Sequence, residues 1–378
     1  MSKINQLIQN LCPAGVEYKK LEDVLTIKNG RDYKQFGDGD VPVYGSGGIM
    51  TYINTAVYDK PSVLIPRKGS LDKLYYVDTP FWNVDTIFYT DIDTSLVEPK
   101  YIYYYLEGQH LERLNKAGGV PSLTQAVLNK VQLPVPPLEV QREIVHILDN
   151  FTELTAELTA ELTARKKQYE FYRDNIIKKE QHISEVKKLA DVANIYDSLH
   201  QTPSYSNSGY SMVRVQDIKG GYVDEDKTLK VDESVWNLFT QKYTPQLNDI
   251  VVSRVGSYGN FALIPNDKCC LGQNVALIHP NINPKYLYHV LMSTMTKQWI
   301  NNNVKGASQK SFSLADIKRV PVPVPKDNIQ QRIAEVLDNF ESICTDLNIG
   351  LPAEIEERKK QYEYYRDKLL SFQVKSYD

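Results

Sequence analysis

Two short segments, Arg67-Lys68-Gly69-Ser70 and Arg254-Val255-Gly256-Ser257, place arginine, glycine and serine at matching spacing just after the apolar runs Ser62–Pro66 and Asp249–Ser253. A guanidinium and a hydroxyl carried over a glycine turn donate hydrogen bonds to acceptors, which on nucleic acid are base edges and phosphate oxygens. An ordinary solvated hairpin turn uses the same residues. Tyr44-Gly45-Ser46-Gly47-Gly48 offers close backbone approach to a phosphate or base, with Arg31 and Lys34 nearby in sequence. No Gly-Lys-Ser/Thr follows, so a nucleotide-binding loop has no support. Further along, Arg214 and Gln216 alternate as residues on one face of a strand do, and Lys219 begins a glycine turn. Tyr258, Gln273, Asn274, Gln309 and Lys310 complete the candidate donors. The full set is thus Arg31, Lys34, Tyr44, Ser46, Arg67, Lys68 and Ser70 early in the chain, then Arg214, Gln216, Lys219, Arg254, Ser257 and the five just named.

Catalytic constellations are a different matter. The chain has no H-E-x-x-H, no G-x-S-x-G and no G-x-G-x-x-G after a strand, and its six histidines are scattered. Cys12, Cys269, Cys270 and Cys344 have no metal-ligand spacing. A chain without catalysis, cofactor or metal is expected. With 42% hydrophobic and 24% charged residues, and no apolar run near eighteen residues, a cytoplasmic location away from any membrane is also expected.

The elements that position these donors are written twice. Arg165–Ile177 (RKKQYEFYRDNII) recurs as Arg358–Leu370 (RKKQYEYYRDKLL), and Val140–Phe151 (VQREIVHILDNF) recurs as Ile329–Phe340 (IQQRIAEVLDNF). Upstream, Leu133–Leu138 matches Val322–Asp327, and Glu17–Val24 matches Glu185–Val192. Apolar residues stepping by three and four, Ile144, Ile147, Leu148, Phe151, Leu154, Leu158 and Leu162, predict a long amphipathic helix, and Ile333, Val336, Leu337, Phe340, Ile343 and Leu347 predict its twin. Forty residues would make a rod of about 60 Å, too long to bury on one small domain, so the two should pair. The second copy is four residues longer and contains Asn348–Pro352, where glycine and proline should break or kink the helix. The first holds a tandem TAEL repeat in Thr152–Ala164, expected to set leucine inward and glutamate outward, or to act as a ruler.

The predicted organisation is therefore a globular region at 1–138, a long helix at 139–183, a second globular region at 184–326 and a second long helix at 327–378. Each globular region mixes strands and helices. Net charge is −3, and only 184–326 is basic, with sixteen basic against twelve acidic residues. That acidity counts against a self-sufficient nucleic-acid binder.

Leu133-Pro134-Val135-Pro136 with Gln141, Ile144, Leu148 and Asp149, repeated as Val322-Pro323-Val324-Pro325 with Gln330, Ile333, Leu337 and Asp338, resembles the specificity subunits of type I restriction-modification systems. The resemblance implies an α+β chain in which two mixed α/β target-recognition domains are separated by two long α-helices forming an antiparallel coiled coil, a pseudo-twofold internal repeat. It implies recognition of a bipartite site on double-stranded DNA. It also implies partners: two methyltransferase subunits, which would carry the S-adenosylmethionine, and two restriction translocase-nuclease subunits. Because the globular halves diverge, the site should be asymmetric. The rival reading is a coiled-coil scaffold or adaptor that does not bind DNA, and the acidic total charge is its support.

Overall fold

The computed structural model describes residues 3–115, 121–219, 221–304, 311–346 and 349–375. In chain order the first half runs α1 (Lys3–Leu11), β1 (Tyr18–Lys20), β2 (Leu25–Asn29), β3 (Val41–Gly45), β4 (Gly48–Ile53), β5 (Ser62–Pro66), β6 (Tyr75–Val77), β7 (Trp82–Asn83), β8 (Ile87–Ile92), α2 (Pro99–Gly108), α3 (Gln125–Leu128), β9 (Gln132–Pro134) and α4 (Leu138–Ile183). Strands β2-β8-β5-β6 form an antiparallel sheet. Its central strands β5 and β8 are buried along nearly their whole length because both faces are covered. Along β5, Val63 and Ile65 enter one core while Leu64 enters another; along β8, Phe88 enters the first while Ile87 and Tyr89 enter the second. Such alternation follows from the two-residue period of a strand. Helix α2 starts at Pro99, whose missing N–H costs nothing in a first turn, and lays Tyr101, Ile102 and Tyr105 on the first core. A second, three-stranded sheet, β4-β3-β7, pairs β3 with β7 in parallel.

The second half repeats this plan with β10 (Glu185–Lys188), α5 (Leu189–Val192), β11 (Ala193–Asp197), β12 (Tyr210–Val213), β13 (Leu229–Val231), α6 (Glu233–Phe239), β14 (Ile250–Ser253), β15 (Phe261–Leu263), β16 (Cys269–Leu271), β17 (Val275–Pro280), α7 (Pro284–Met292), α8 (Thr294–Asn303), α9 (Leu314–Arg319), β18 (Pro321–Val324), α10 (Asp327–Thr345) and α11 (Leu351–Leu369). The sheets β11-β17-β14-β15 and β13-β12-β16 match the first two in order, and β12 pairs with β16 in parallel. Ile250 and Val252 face one core while Val251 faces another, as in β5.

A duplicated latch ties each helix start to the domain before it, and it explains the repeated motif residue by residue. The fully buried Gln141 donates to the Pro136 carbonyl at 2.7 Å and accepts from the Glu98 N–H at 2.9 Å. Gln330 does the same with the Pro325 carbonyl at 2.8 Å and the Asn283 N–H at 3.1 Å. Lys100 pairs with Asp149 at 2.9 Å, and Lys285 with Asp338 at 2.5 Å. Tyr101 and Tyr286 donate to the carbonyls of Pro134 and Pro323 at 3.0 and 2.9 Å.

The chain divides into two compact units, Met1–Thr159 with Glu354–Asp378, and Ala160–Ala353. Each copy of the RKKQYE segment therefore packs in the unit whose globular region is not the one immediately before it in the chain. In the first unit Phe151 stacks on Tyr365 with ring centroids 5.3 Å apart, and the Tyr362 hydroxyl bonds Glu107. The Val16 N–H donates to the Gln373 carbonyl at 2.8 Å, and Lys375 N–H returns to Val16 at 3.0 Å. In the second unit Tyr172 packs on Phe340 and Tyr169 reaches Glu341, so later α4 residues meet earlier α10 residues in an antiparallel pair.

The second rod is broken where glycine and proline were expected to break it, between Thr345 and Leu351. A Cβ on Gly350 would lie 2.7 Å from the Asp346 carbonyl oxygen and 2.8 Å from that of Ser342, so only glycine fits this close approach. The TAEL stretch meets expectation only in part: Glu153, Glu157 and Glu161 are exposed and Leu158 and Leu162 half-buried, but Leu154 is exposed and no side chain from Asp149 to Gln168 is fully buried. A four-residue repeat advances about 400° on a helix of 3.6 residues per turn, so its leucines drift by about 40° per unit and leave any single inward stripe.

Candidate nucleic-acid interface

Both domains bring the same two loops together. In the first, β3 ends in the turn Ser46–Gly47, and β5 ends in Arg67–Ser70. A Cβ on Gly69, whose φ is +85°, would lie 3.2 Å from Ser46 Oγ. Thr86 clamps both loops: its hydroxyl accepts from the Ser46 N–H at 3.2 Å, and its carbonyl accepts from the Arg67 and Lys68 N–H groups at 2.9 and 3.2 Å. The Tyr75 hydroxyl adds a bond to the Ser46 carbonyl at 3.3 Å. Arg67 is half-buried with its guanidinium 5.7 Å from the Phe88 ring centroid, while Lys68 is exposed and pairs with exposed Asp85 at 3.5 Å, a contact worth under about 1 kcal/mol. Ser70 is half-buried at the loop's end. Tyr44, its ring 5.8 Å from that of Tyr75, lines a cleft of about 390 Å³ with Tyr75, Tyr76 and Tyr103, where burial pushes its hydroxyl pKa up. Arg31 and Lys34 have exposed side chains on the loop between β2 and β3, and the Arg31 carbonyl accepts from the Trp82 indole at 2.9 Å.

In the second domain the loops after β12 and β14 line a cleft of about 380 Å³. Five candidates converge there: Arg214, Gln216, Lys219, Ser257 and Gln273. Thr202, Pro203 and Tyr205 also line it, and sequence reasoning passed over them because their segment has neither repeat nor periodicity. Gln273 donates to the Thr202 hydroxyl at 3.3 Å.

Three candidates behave differently. Arg254, the counterpart of Arg67, turns inward: it pairs with Asp197, donates to the Phe312 carbonyl at 3.4 Å, and leaves 14% of its side chain exposed. Its guanidinium ties β11 to the loop rather than projecting from it. Asn274 serves through its backbone, with φ +61° and its carbonyl accepting from the Arg254 N–H at 2.8 Å. Tyr258 is partly buried against the main core of its domain. Gln309 and Lys310 lie outside the described residues.

Among the described residues, His289, Asp338 and Glu341 bring ligand-type atoms within 4.8 Å of one another. Their positions are already engaged. His289 Nε2 meets Asp338 at 2.8 Å and Nδ1 meets the Tyr169 hydroxyl at 2.9 Å, while Tyr288 donates to Glu341 at 3.1 Å. With Lys285 also on Asp338, the group is a polar latch of the second domain, standing where Tyr104, Asp149 and Thr152 stand in the first. No helix among the described residues is long and apolar enough to cross a membrane.

The architecture has close counterparts. Residues 13–165 and 183–357 match the family model for the type I restriction modification DNA specificity domain. The chain belongs to this family. A type I restriction enzyme specificity subunit of Escherichia coli is 34% identical over 300 residues, covering 75% of this chain and 73% of the relative. A putative type I specificity subunit of Haemophilus influenzae is 28% identical over 378 residues, covering 94% and 96%. The crystal structure of the type I restriction-modification S subunit of M. genitalium superposes with a TM-score of 0.57 at 13% identity, covering 94% of this chain and 96% of that one. Recognition of DNA sequence is thus the function of the chain, and the scaffold that does not bind DNA is not favoured.

Proposed function

We propose that this specificity chain reads an asymmetric two-part DNA site, one part with each loop pair, and carries no chemistry of its own. One observation supports this above the rest: the same two strand-end loops meet in both domains, yet they present different side chains, Ser46 and Arg67–Ser70 in one, Arg214, Gln216, Lys219 and Ser257 in the other. Diverged loops on a duplicated frame read two different short sequences. Methylation and cleavage belong to partners in this reading: two methyltransferase subunits, which bind S-adenosylmethionine, and two translocase-nuclease subunits. Partners around the DNA would supply phosphate neutralisation that a chain of net charge −3 lacks.

The test is genome-wide adenine methylation in cells carrying this chain with its methyltransferase, against the methyltransferase alone. A bipartite motif that appears only with this chain is expected. Partner binding with no new methylated motif would overturn the reading and favour the scaffold.

A further inference from the structure

Within the cleft of the second domain, half-buried Arg214 is held unlike the other cation that lines it, exposed Lys219. Its Nε and Nη2 donate to Asp217 at 3.1 and 3.3 Å, and its N–H donates to the same carboxylate at 2.9 Å. Asp217 is itself a buried anchor, with 7% of its side chain exposed, whereas Arg214 keeps 24% open to the cleft. The guanidinium plane is therefore fixed before anything binds. On its open edge, with the Gln216 amide turned so that its oxygen faces the guanidinium, that oxygen accepts from Nη1 at 3.2 Å and Nη2 at 2.6 Å. An acceptor of the protein's own occupies the fork, on an exposed side chain that is free to leave.

We infer that Arg214 reads a guanine in the half-site taken by the second domain, with Gln216 withdrawing from the fork as the base edge enters. This rests on the DNA-reading function proposed above. Guanine alone among the bases presents two adjacent acceptors, O6 and N7, in the major groove; adenine sets a donor beside N7, thymine shows one acceptor and a methyl group, and cytosine shows a donor. A fork with two donors and no acceptor matches only the first. A phosphate also offers paired oxygens. The observations favour the base because the arginine is recessed and immobilised by a buried carboxylate, with the amides of Gln216 and Gln273 beside it, whereas Lys219 supplies an exposed point charge in the same cleft.

The experiment compares methylated motifs, by single-molecule sequencing, in cells expressing the methyltransferase with the wild-type chain, Arg214→Lys, Arg214→Ala or Asp217→Asn. Arg214→Lys keeps charge and bulk, so a folding defect in the alanine variant does not end the test. Expected is a guanine in the second domain's half-motif that relaxes to any base in both Arg214 variants, by on the order of 10- to 100-fold in preference, with the other half unchanged. Asp217→Asn relaxes the same position more weakly. Three results would overturn the assignment: no guanine in that half, an unaltered motif in both Arg214 variants, or a uniform fall in methylation with every base retained, which marks a phosphate contact. Absence of any bipartite motif with the wild-type chain would instead remove the DNA-reading function itself.

Discussion

Arg67 and Arg254 stand at the same place in two copies of one fold and do different work. Replacing Arg254 by alanine leaves Asp197 without its cation, so a loss of roughly 1–3 kcal/mol in urea unfolding of the second unit is expected. Arg67→Ala should instead leave unfolding nearly unchanged and weaken selection of one half-site in the methylation readout. The sequence displayed both arginines at identical spacing but not this difference, because the partner of Arg254 lies 57 residues away. Glu341 is a second case. Burial pushes its carboxyl pKa up, with 6% of the residue exposed and one oxygen unpartnered. A value raised on folding contributes stability that is complete below the ordinary glutamate range and is lost as pH rises through the folded value. Asp338 works in the opposite sense: burial opposes ionisation, but hydrogen bonds from His289 and Lys285 outweigh it, so its contribution is lost as pH falls. Glu341→Gln should remove the loss of stability that sets in as pH rises above the ordinary glutamate range, and leave in place the loss on acidification that comes from Asp338. A thermal-unfolding profile against pH that is unchanged by the substitution would mean that Glu341 finds solvent.

At the scale of elements, what was legible followed periodicity and repetition. The steps of three and four along Ile144–Phe151 announced α4, whereas the proline-bearing segments before the two rods hold short two-stranded pairings, with Pro134 in β9 and Pro321 and Pro323 in β18. The strand-end loops could be named but not brought together, because their meeting depends on Thr86 in one domain and on a cleft shared by distant segments in the other. Side chains on α4 from Thr152 to Gln168 are at most half-buried, so the TAEL units rest largely on helix propensity and on local bonds such as Thr155 to the Phe151 carbonyl at 2.8 Å. Such a stretch tolerates changes of length. Deleting Thr155–Leu158 turns the helix end by about 40°, near the rotation of one base-pair step, and removes about 6 Å, more than the rise of that step, and should shorten the unread spacer of the methylated motif by about one base pair. A motif of unaltered spacing would eliminate the ruler. Gly350→Ala tests the break in the other rod. The added methyl meets three carbonyl oxygens, and a fall of several degrees in the unfolding midpoint is expected in calorimetry.

For the whole molecule, duplication was the most legible property and also the source of what sequence could not supply. Matching segments showed two similar halves, and the matching sheet orders follow from them. Which rod segment completes which globular region was not written in the repeats, since the two RKKQYE segments are nearly interchangeable and only tertiary contacts such as Tyr362 with Glu107 choose between them. Exchange of residues 1–138 for those of a relative with another specificity should alter one half of the methylated motif alone. Change in both halves, by the same sequencing, would show that the two domains do not read independently.

The unit assembled from Met1–Thr159 and Glu354–Asp378 has a consequence in time. Domains ordinarily fold in order of synthesis, at roughly 5–20 residues per second. Here the unit begun first is completed after the other, because its closing helix and the return to Val16 leave the ribosome later than residue 353. The contiguous unit, Ala160–Ala353, needs no such wait. A nascent chain halted before residue 354 should therefore resist protease in its later portion and yield in its earlier one, so that the amino-terminal reading head spends tens of seconds of every synthesis cycle as the part most in need of a chaperone.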